Sequence, residues 1–199
     1  MPVYNSEKTL GLAIESVLGQ TYKNIKLIIV DDCSTDRSLE IAKHYAKIDK
    51  RVEVYRNNKN MGAYYSRNVG LYVSRNINWS FFTTHDADDI SYPDRYQSVL
   101  KLFKRKVNGV QDMFVRKDLE TNKIISEKLT MAHAVFRRSV FDSIGYFEEV
   151  RFGADWEYWT RLKHFNMKSG FVVTNYNDVV VESFVHSQNL TIQIPVNSL

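Results

Sequence analysis

The chain alternates between short apolar runs and amphipathic stretches. Across residues 6–18 the apolar positions Leu10, Ala13, Ile14, Val17 and Leu18 recur at helical spacing, with Asn5 or Ser6 placed to cap the helix. Residues 25–30, IKLIIV, are short, β-branched and nearly all apolar, which predicts a central strand buried on both faces. The run stops at DDCSTD, a turn-rich acidic loop. Leu39, Ala42, Tyr45 and Ala46 mark a second helix, 52–55 a strand, 62–76 a helix and 79–83 another strand, which ends at HDADD. Tyr96, Val99, Leu100 and Phe103 supply the next helix face.

Strand and helix in strict alternation predict a parallel sheet flanked by helices, and ligands bind such sheets beyond the carboxyl ends of the strands. Both acidic clusters fall at such ends. The second half is less regular. Short strands are expected at 109–115, 124–126, 134–136, 170–173 and 179–184, and helices at 139–144 and 155–165, the first closed by Gly145. No linker or repeat divides the chain, so one domain over 1–199 is expected, with halves at about 1–106 and 107–199. Residues 2–5 read as the end of a first strand with almost nothing before it, as in a trimmed chain or one part of a longer one.

Composition narrows the function class. A net charge of +4 and one interrupted basic run, KLFKRK, read as the solvated side of a helix, argue against nucleic acid as the partner. Cys33 is the single cysteine, so no internal disulfide forms. No apolar run approaches a membrane span and no signal-peptide pattern opens the chain, which points to a cytoplasmic protein, free or peripheral to a membrane.

HDADD puts three carboxylates in four residues, and like charges this close need a cation or a proton. A hard divalent ion such as Mn2+ or Mg2+, shared with a substrate diphosphate, meets that need. On extended backbone Asp86 and Asp88 share a side. The plainer reading is an acidic turn that caps the next helix through Asp89, Ser91 or Asp94. In DDCSTD, Ser34 or Asp36 can cap the following helix, whereas Asp31 and Asp32 suit either a turn or hydrogen bonds from a nucleobase or ribose. Asp155 can cap its helix or act as a general base behind an apolar wall of Trp156 and Trp159. Arg67, His133 and His186 are lone candidates for a ligand site, and His85 is expected to be protonated among the carboxylates.

Five segments together resemble the family 2 glycosyltransferases. MPVYNSEKTLGLAIESVLGQTYKNIKLIIVDDCSTD matches the family's opening through Pro2, Tyr4, Asn5, Ser16, Gln20, Thr21, Tyr22, Asp31, Asp32, Ser34 and Asp36. NMGAYYSRNVGL matches through Asn60, Gly62, Arg67, Asn68 and Gly70, and FFTTHDADDISYPDRY through its D-x-DD-x-x-x-P-x-R pattern. AVFRRSVFDSIGYFEE with ADWEYWTRL matches the acceptor-side half, and HSQNLT a late H-x-x-S-L-T segment. Three positions depart from the family pattern: Cys33 stands for Gly, Ala154 for an acidic residue and Asn189 for Ser.

The resemblance implies a GT-A fold: a Rossmann-like, mostly parallel sheet flanked by helices, with a smaller antiparallel acceptor-side region. It implies inverting transfer from a nucleotide sugar, usually a UDP-sugar, to a hydroxyl acceptor such as a glycan. Pro2, Tyr4, Asn5 and Asp32 would line the nucleotide site, with Arg67 near it. Asp86 would face the ribose or the metal, Asp88 would bind the metal, His186 would approach the diphosphate or metal, and Asp155 would be the base. His133 and Trp156 complete the substrate-binding candidates. Two rival classes are a nucleotidyltransferase, for which the expected Gly-rich loop is missing from 2–19, and a non-catalytic sugar-binding module, against which Asp88 and Asp155 stand.

Overall fold

The computed structural model describes residues 1–104, 106–118, 120–151, 153–169 and 172–185. Strand β1 (Pro2–Val3), helix α1 (Leu10–Leu18), β2 (Leu27–Asp31), α2 (Ser38–Ile48), β3 (Val52–Arg56) and α3 (Ala63–Ser74) form the first layer system. Its sheet is parallel, in the order β1-β2-β3, with Pro2 opposite Val30 and Leu27 opposite Val52. The apolar spacing of α1 explains the packing: Leu10, Ile14 and Val17 meet Leu27 and Ile29 of β2 in one core. Helix α3 takes the other face of β2, where Gly70 brings its backbone against Ile28 and Val30. Burying both faces of β2 is the outcome its unbroken apolar run predicts.

The second system contains β4 (Phe81–Thr83), β5 (Asp89–Ser91), α4 (Arg95–Leu100), β6 (Val107–Asp118), β7 (Ile124–Arg137), α5 (Arg138–Ile144), α6 (Ala154–Ser169) and β8 (Val172–Val185). Its five strands lie in the order β4-β7-β6-β8-β5. Only β6 and β8 run parallel; the other pairs are antiparallel. A second core joins the systems, with Tyr64 and Leu71 of α3 against Phe136 of β7, Val140 of α5, Phe147, and Tyr158 and Leu162 of α6.

Several local expectations change. β4 pairs with β7 (Phe82 opposite Phe136) instead of extending the parallel sheet. The paired expectations at 124–126 and 134–136 become the single long strand β7, and those at 170–173 and 179–184 become β8 from Val172 on, residues 170 and 171 lying outside the described residues. α1 starts at Leu10, not Ser6, because Asn5 turns its side chain to the Thr35 N–H (2.9 Å) and neither Asn5 nor Ser6 caps the helix. α4 ends at Leu100, so residues 101–104 are not a helix face: Leu102 and Phe103 are partly buried, and the Phe103 ring centre lies 4.6 Å from that of Phe81. Asp155 is the second residue of α6 rather than its cap, and Gly153, at φ +84°, leads into the helix and accepts the Glu157 N–H.

Candidate functional site

The DDCSTD loop leaves β2 and is knitted to residues 5–7. The Asn5 N–H donates to Ser34 Oγ (3.1 Å), the Ser6 N–H to Ser38 Oγ (2.8 Å) and the Glu7 N–H to Asp36 Oδ2 (3.0 Å). Asp36 also accepts the Ser38 N–H (2.9 Å) at the start of α2, but the cap position falls on Arg37, not on Ser34 or Asp36. Burial works against ionisation of Asp36, but these donors outweigh it and hold its carboxyl below the usual aspartate range. Asp31 is buried and faces Arg56 Nε at 3.2 Å. Asp32 is buried as well: Oδ1 accepts from Asn57 Nδ2 (2.7 Å) and the Met61 N–H (2.9 Å), and Oδ2 from the Gly62 N–H (2.7 Å) and again Met61 (3.1 Å). Gly62 holds φ +94° to present that N–H, which explains the glycine of the N-x-G segment. Pro2 pairs in β1 beneath this loop, and Tyr4 is half exposed above it.

HDADD lies between β4 and β5. Burial alternates along it: His85, Ala87 and Asp89 point inward, while Asp86 and Asp88 are partly exposed. The expected extended backbone is absent, because the Asp89 N–H closes a turn on the Asp86 carbonyl (3.3 Å), yet both candidate metal carboxylates keep some exposure. His85 corrects an expectation. It sits between the Asp86 carbonyl (2.9 Å) and Ser91 Oγ (3.0 Å), and burial, helped by the Arg95 charge, pulls its pKa down to about 3, so the ring is neutral. Desolvation outweighs the nearby carboxylates. Asp89 faces His133 Nε2 at 3.0 Å. Burial and the charges of Asp88 and Asp86 push Asp89 well up, and burial pulls His133 well down. Both side chains are buried, so His133 forms part of the wall behind the carboxylates.

Arg95, fully buried on α4, ties this wall together. It donates to Asp112 on β6 (2.7 Å), to Ser91 Oγ (2.9 Å) and to the His133 carbonyl (2.6 Å). The QTY segment serves the same loop: Gln20 bonds the Tyr92 carbonyl (2.7 Å) and the Tyr96 N–H (3.2 Å), and the Thr21 N–H reaches the Pro93 carbonyl (2.7 Å).

A connected set runs from HDADD to α6. Arg67 Nη2 donates to Asp86 Oδ1 at 2.5 Å, and its guanidinium lies 4.8 Å from the Tyr64 ring centre. Tyr64 Oη donates to Asp155 Oδ1 at 2.7 Å. Burial opposes ionisation of Asp86, but the Arg67 charge brings its carboxyl below the usual range. One residue past Arg67, Asn68 clamps Phe147 through both its N–H (2.9 Å) and its carbonyl (2.8 Å), fixing the loop that delivers α6. Trp156 is 68% exposed, so it does not screen Asp155 from water; Tyr64 is the aromatic that contacts it. Tyr64, Asn68 and Arg95 are the residues sequence reasoning left unassigned. Their signal was position: Tyr64 and Arg67 stand one helical turn apart on α3.

The structure thus brings Asp86, Arg67 and Asp155 into one network and puts Asp88 beside it, with Asp32 and Asn5 in the neighbouring loop. His186 lies outside the described residues. Among the described residues no three His, Cys, Asp or Glu side chains gather as a complete metal cage. Two accessible carboxylates still fit Mn2+ or Mg2+, which commonly take one or two and complete their shell with phosphate oxygens and water.

No helix among the described residues is long and apolar enough to cross a membrane. In sequence, the chain is 33% identical over 153 residues to the glycosyltransferase GlyA of Streptococcus pneumoniae, a stretch covering 75% of this chain and 21% of GlyA. An Haemophilus influenzae glycosyltransferase is 36% identical over 125 residues, 62% of this chain and 49% of that protein, so the chain spans less than half of these relatives. In structure, S. aureus TarS in complex with UDP superposes with a TM-score of 0.68 at 20% identity, covering 92% of this chain and 59% of TarS. The mannosyltransferase PcManGT of Pyrobaculum calidifontis, in complex with GDP-Man and Mn2+, gives 0.72 at 18%, covering 96% of this chain and 57% of that one. The fold is that of the GT-A glycosyltransferases. The model of glycosyl transferase family 2 matches residues 1–171, and the chain belongs to that family.

Proposed function

We propose that this chain moves a sugar, with inversion, from a nucleoside-diphosphate sugar to the hydroxyl of a glycan or similar acceptor. The observation that carries the reading is the Asp86–Arg67–Tyr64–Asp155 network, which connects the carboxylate loop of the first half to a carboxylate of the second. Neighbours support a uridine donor, since TarS structures hold UDP and UDP-GlcNAc. In this reading residues 1–106 hold the donor and 107–199 face the acceptor, within one unit that can belong to a longer protein.

Asp155 accepts the proton of the acceptor hydroxyl as its oxygen attacks the anomeric carbon, and the bond to the diphosphate breaks on the opposite face. Asp88 and Asp86, with His186, would hold Mn2+ or Mg2+, which when bound neutralises charge on the departing diphosphate. Arg67 holds Asp86 in place. Pro2, Tyr4 and Asn5 line the nucleotide. Asp32 reaches the base by exchanging one of its bonds, and the Met61 N–H, shared between both oxygens, is the one to yield. Trp156, exposed beside Asp155, offers a flat face to an acceptor sugar.

Asp155→Asn tests the assignment. Transfer should fall by at least about a hundred-fold, with UDP affinity by calorimetry unchanged. Near-normal turnover would remove Asp155 as the base.

A further inference from the structure

We infer that Tyr64 is the positioning residue for Asp155, committing one carboxylate oxygen so that the other receives the acceptor's proton; the inference rests on Asp155 being the base. The Tyr64 ring belongs to the second core, 7% exposed, with its centre 6.0 Å from that of Phe147. A phenylalanine would fill that space with no polar atom to satisfy. A buried hydroxyl is unfavourable there unless it is paired. The pairing is specific. Tyr64 Oη donates to Asp155 Oδ1 at 2.7 Å. That bond joins α3 to the first turn of α6 and sets the rotation of the Asp155 side chain against the helix.

The grip is braced from behind. Arg67 lies against the Tyr64 ring, and Arg67 is itself held by Asp86. Burial, with the Asp155 carboxylate adding to it, pushes the Tyr64 phenol up to about 12, so it stays a donor and does not exchange its proton with Asp155. During transfer the new O–H bond then forms on Asp155 Oδ2 as the acceptor O–H breaks, and Tyr64 keeps its proton throughout.

A plain staple between α3 and α6 would show the same bond, so the test separates the two roles. Tyr64→Phe keeps the ring and its packing. The expected result is a kcat lower by about ten-fold or more, with KM for the UDP-sugar and UDP affinity unchanged. Tyr64→Phe combined with Asp155→Asn should be no slower than Asp155→Asn alone, because Tyr64 acts only through that carboxylate. Full kcat in Tyr64→Phe, whatever its Tm, overturns the inference, as does an additive loss in the double variant. An inactive Asp155→Asn beside a fully active Tyr64→Phe sinks the Tyr64 role alone. A fully active Asp155→Asn sinks the base assignment and this inference with it.

Discussion

The two acidic loops look alike in sequence and are solved differently by the fold. In DDCSTD the carboxylates are met mainly by neutral donors, most of them from other segments of the chain: Asp32 by Asn57 and the N–H groups of Met61 and Gly62, Asp36 by those of Ser38 and Glu7. Only Asp31 faces a cation, Arg56. In HDADD the carboxylates are met by ionisable side chains: Arg67 of α3 for Asp86, and His133 of β7 for Asp89. A carboxylate filled by neutral donors shapes a surface. A partly exposed carboxylate in an acidic cluster is placed to meet an incoming cation.

The contrast can be broken at both ends. Asp32→Ala should lower stability by about 3 kcal/mol, since it strips several charge-assisted bonds and leaves buried N–H groups unmet. Urea unfolding measures this, and a loss below about 1 kcal/mol would deny Asp32 its structural role. Asp88→Ala should cost clearly less stability than Asp32→Ala, because Asp88 is partly exposed and Asp32 is buried. Its effect should fall on function, as loss of the manganese-dependent part of UDP-sugar binding in calorimetry. Equal donor binding with and without manganese in the native chain would end the metal reading.

The smallest effect concerns acid. The folded pKa of Asp36 lies below its unfolded value. Its contribution is therefore complete above the ordinary aspartate pKa, near 3.8, and is lost as pH falls from there through the folded value. Asp36→Asn should flatten the decline of Tm in that window while leaving the neutral-pH curve parallel to that of the native chain. An unchanged acid limb would show that Asp36 is not among the groups that set it.

How much of this was legible depends on the element. α1, β2 and α2 follow from spacing, because each presents one dominant period: Leu10, Ile14 and Val17 on a helix, and Leu27, Ile29 and Val30 on a buried strand. β7 hid because SEKLT interrupts its apolar ends, and β8 because TNYND does the same; long strands that leave a core at one end carry no uniform alternation. The candidate site was legible as motifs, not as contacts. Nothing in the sequence says that Arg95 is fully buried against Asp112, or that Asp155 is paired to Tyr64, because both pairings are made across elements. The expectation for His85 failed for a related reason: charge is read from neighbours in sequence, and desolvation is not.

The pairing of β5 with β8 also orders events in time. Asp89 lies opposite Ser183 and Ser91 opposite Val181. During synthesis the parallel layer can assemble from the first strands and helices, whose contacts span short stretches of chain. The carboxylate loop gains its flanking strand only once the stretch containing β8 has been made. The geometry of that loop is thus among the last things the nascent protein acquires, and chains cut short before β8 would lack the strand that flanks it.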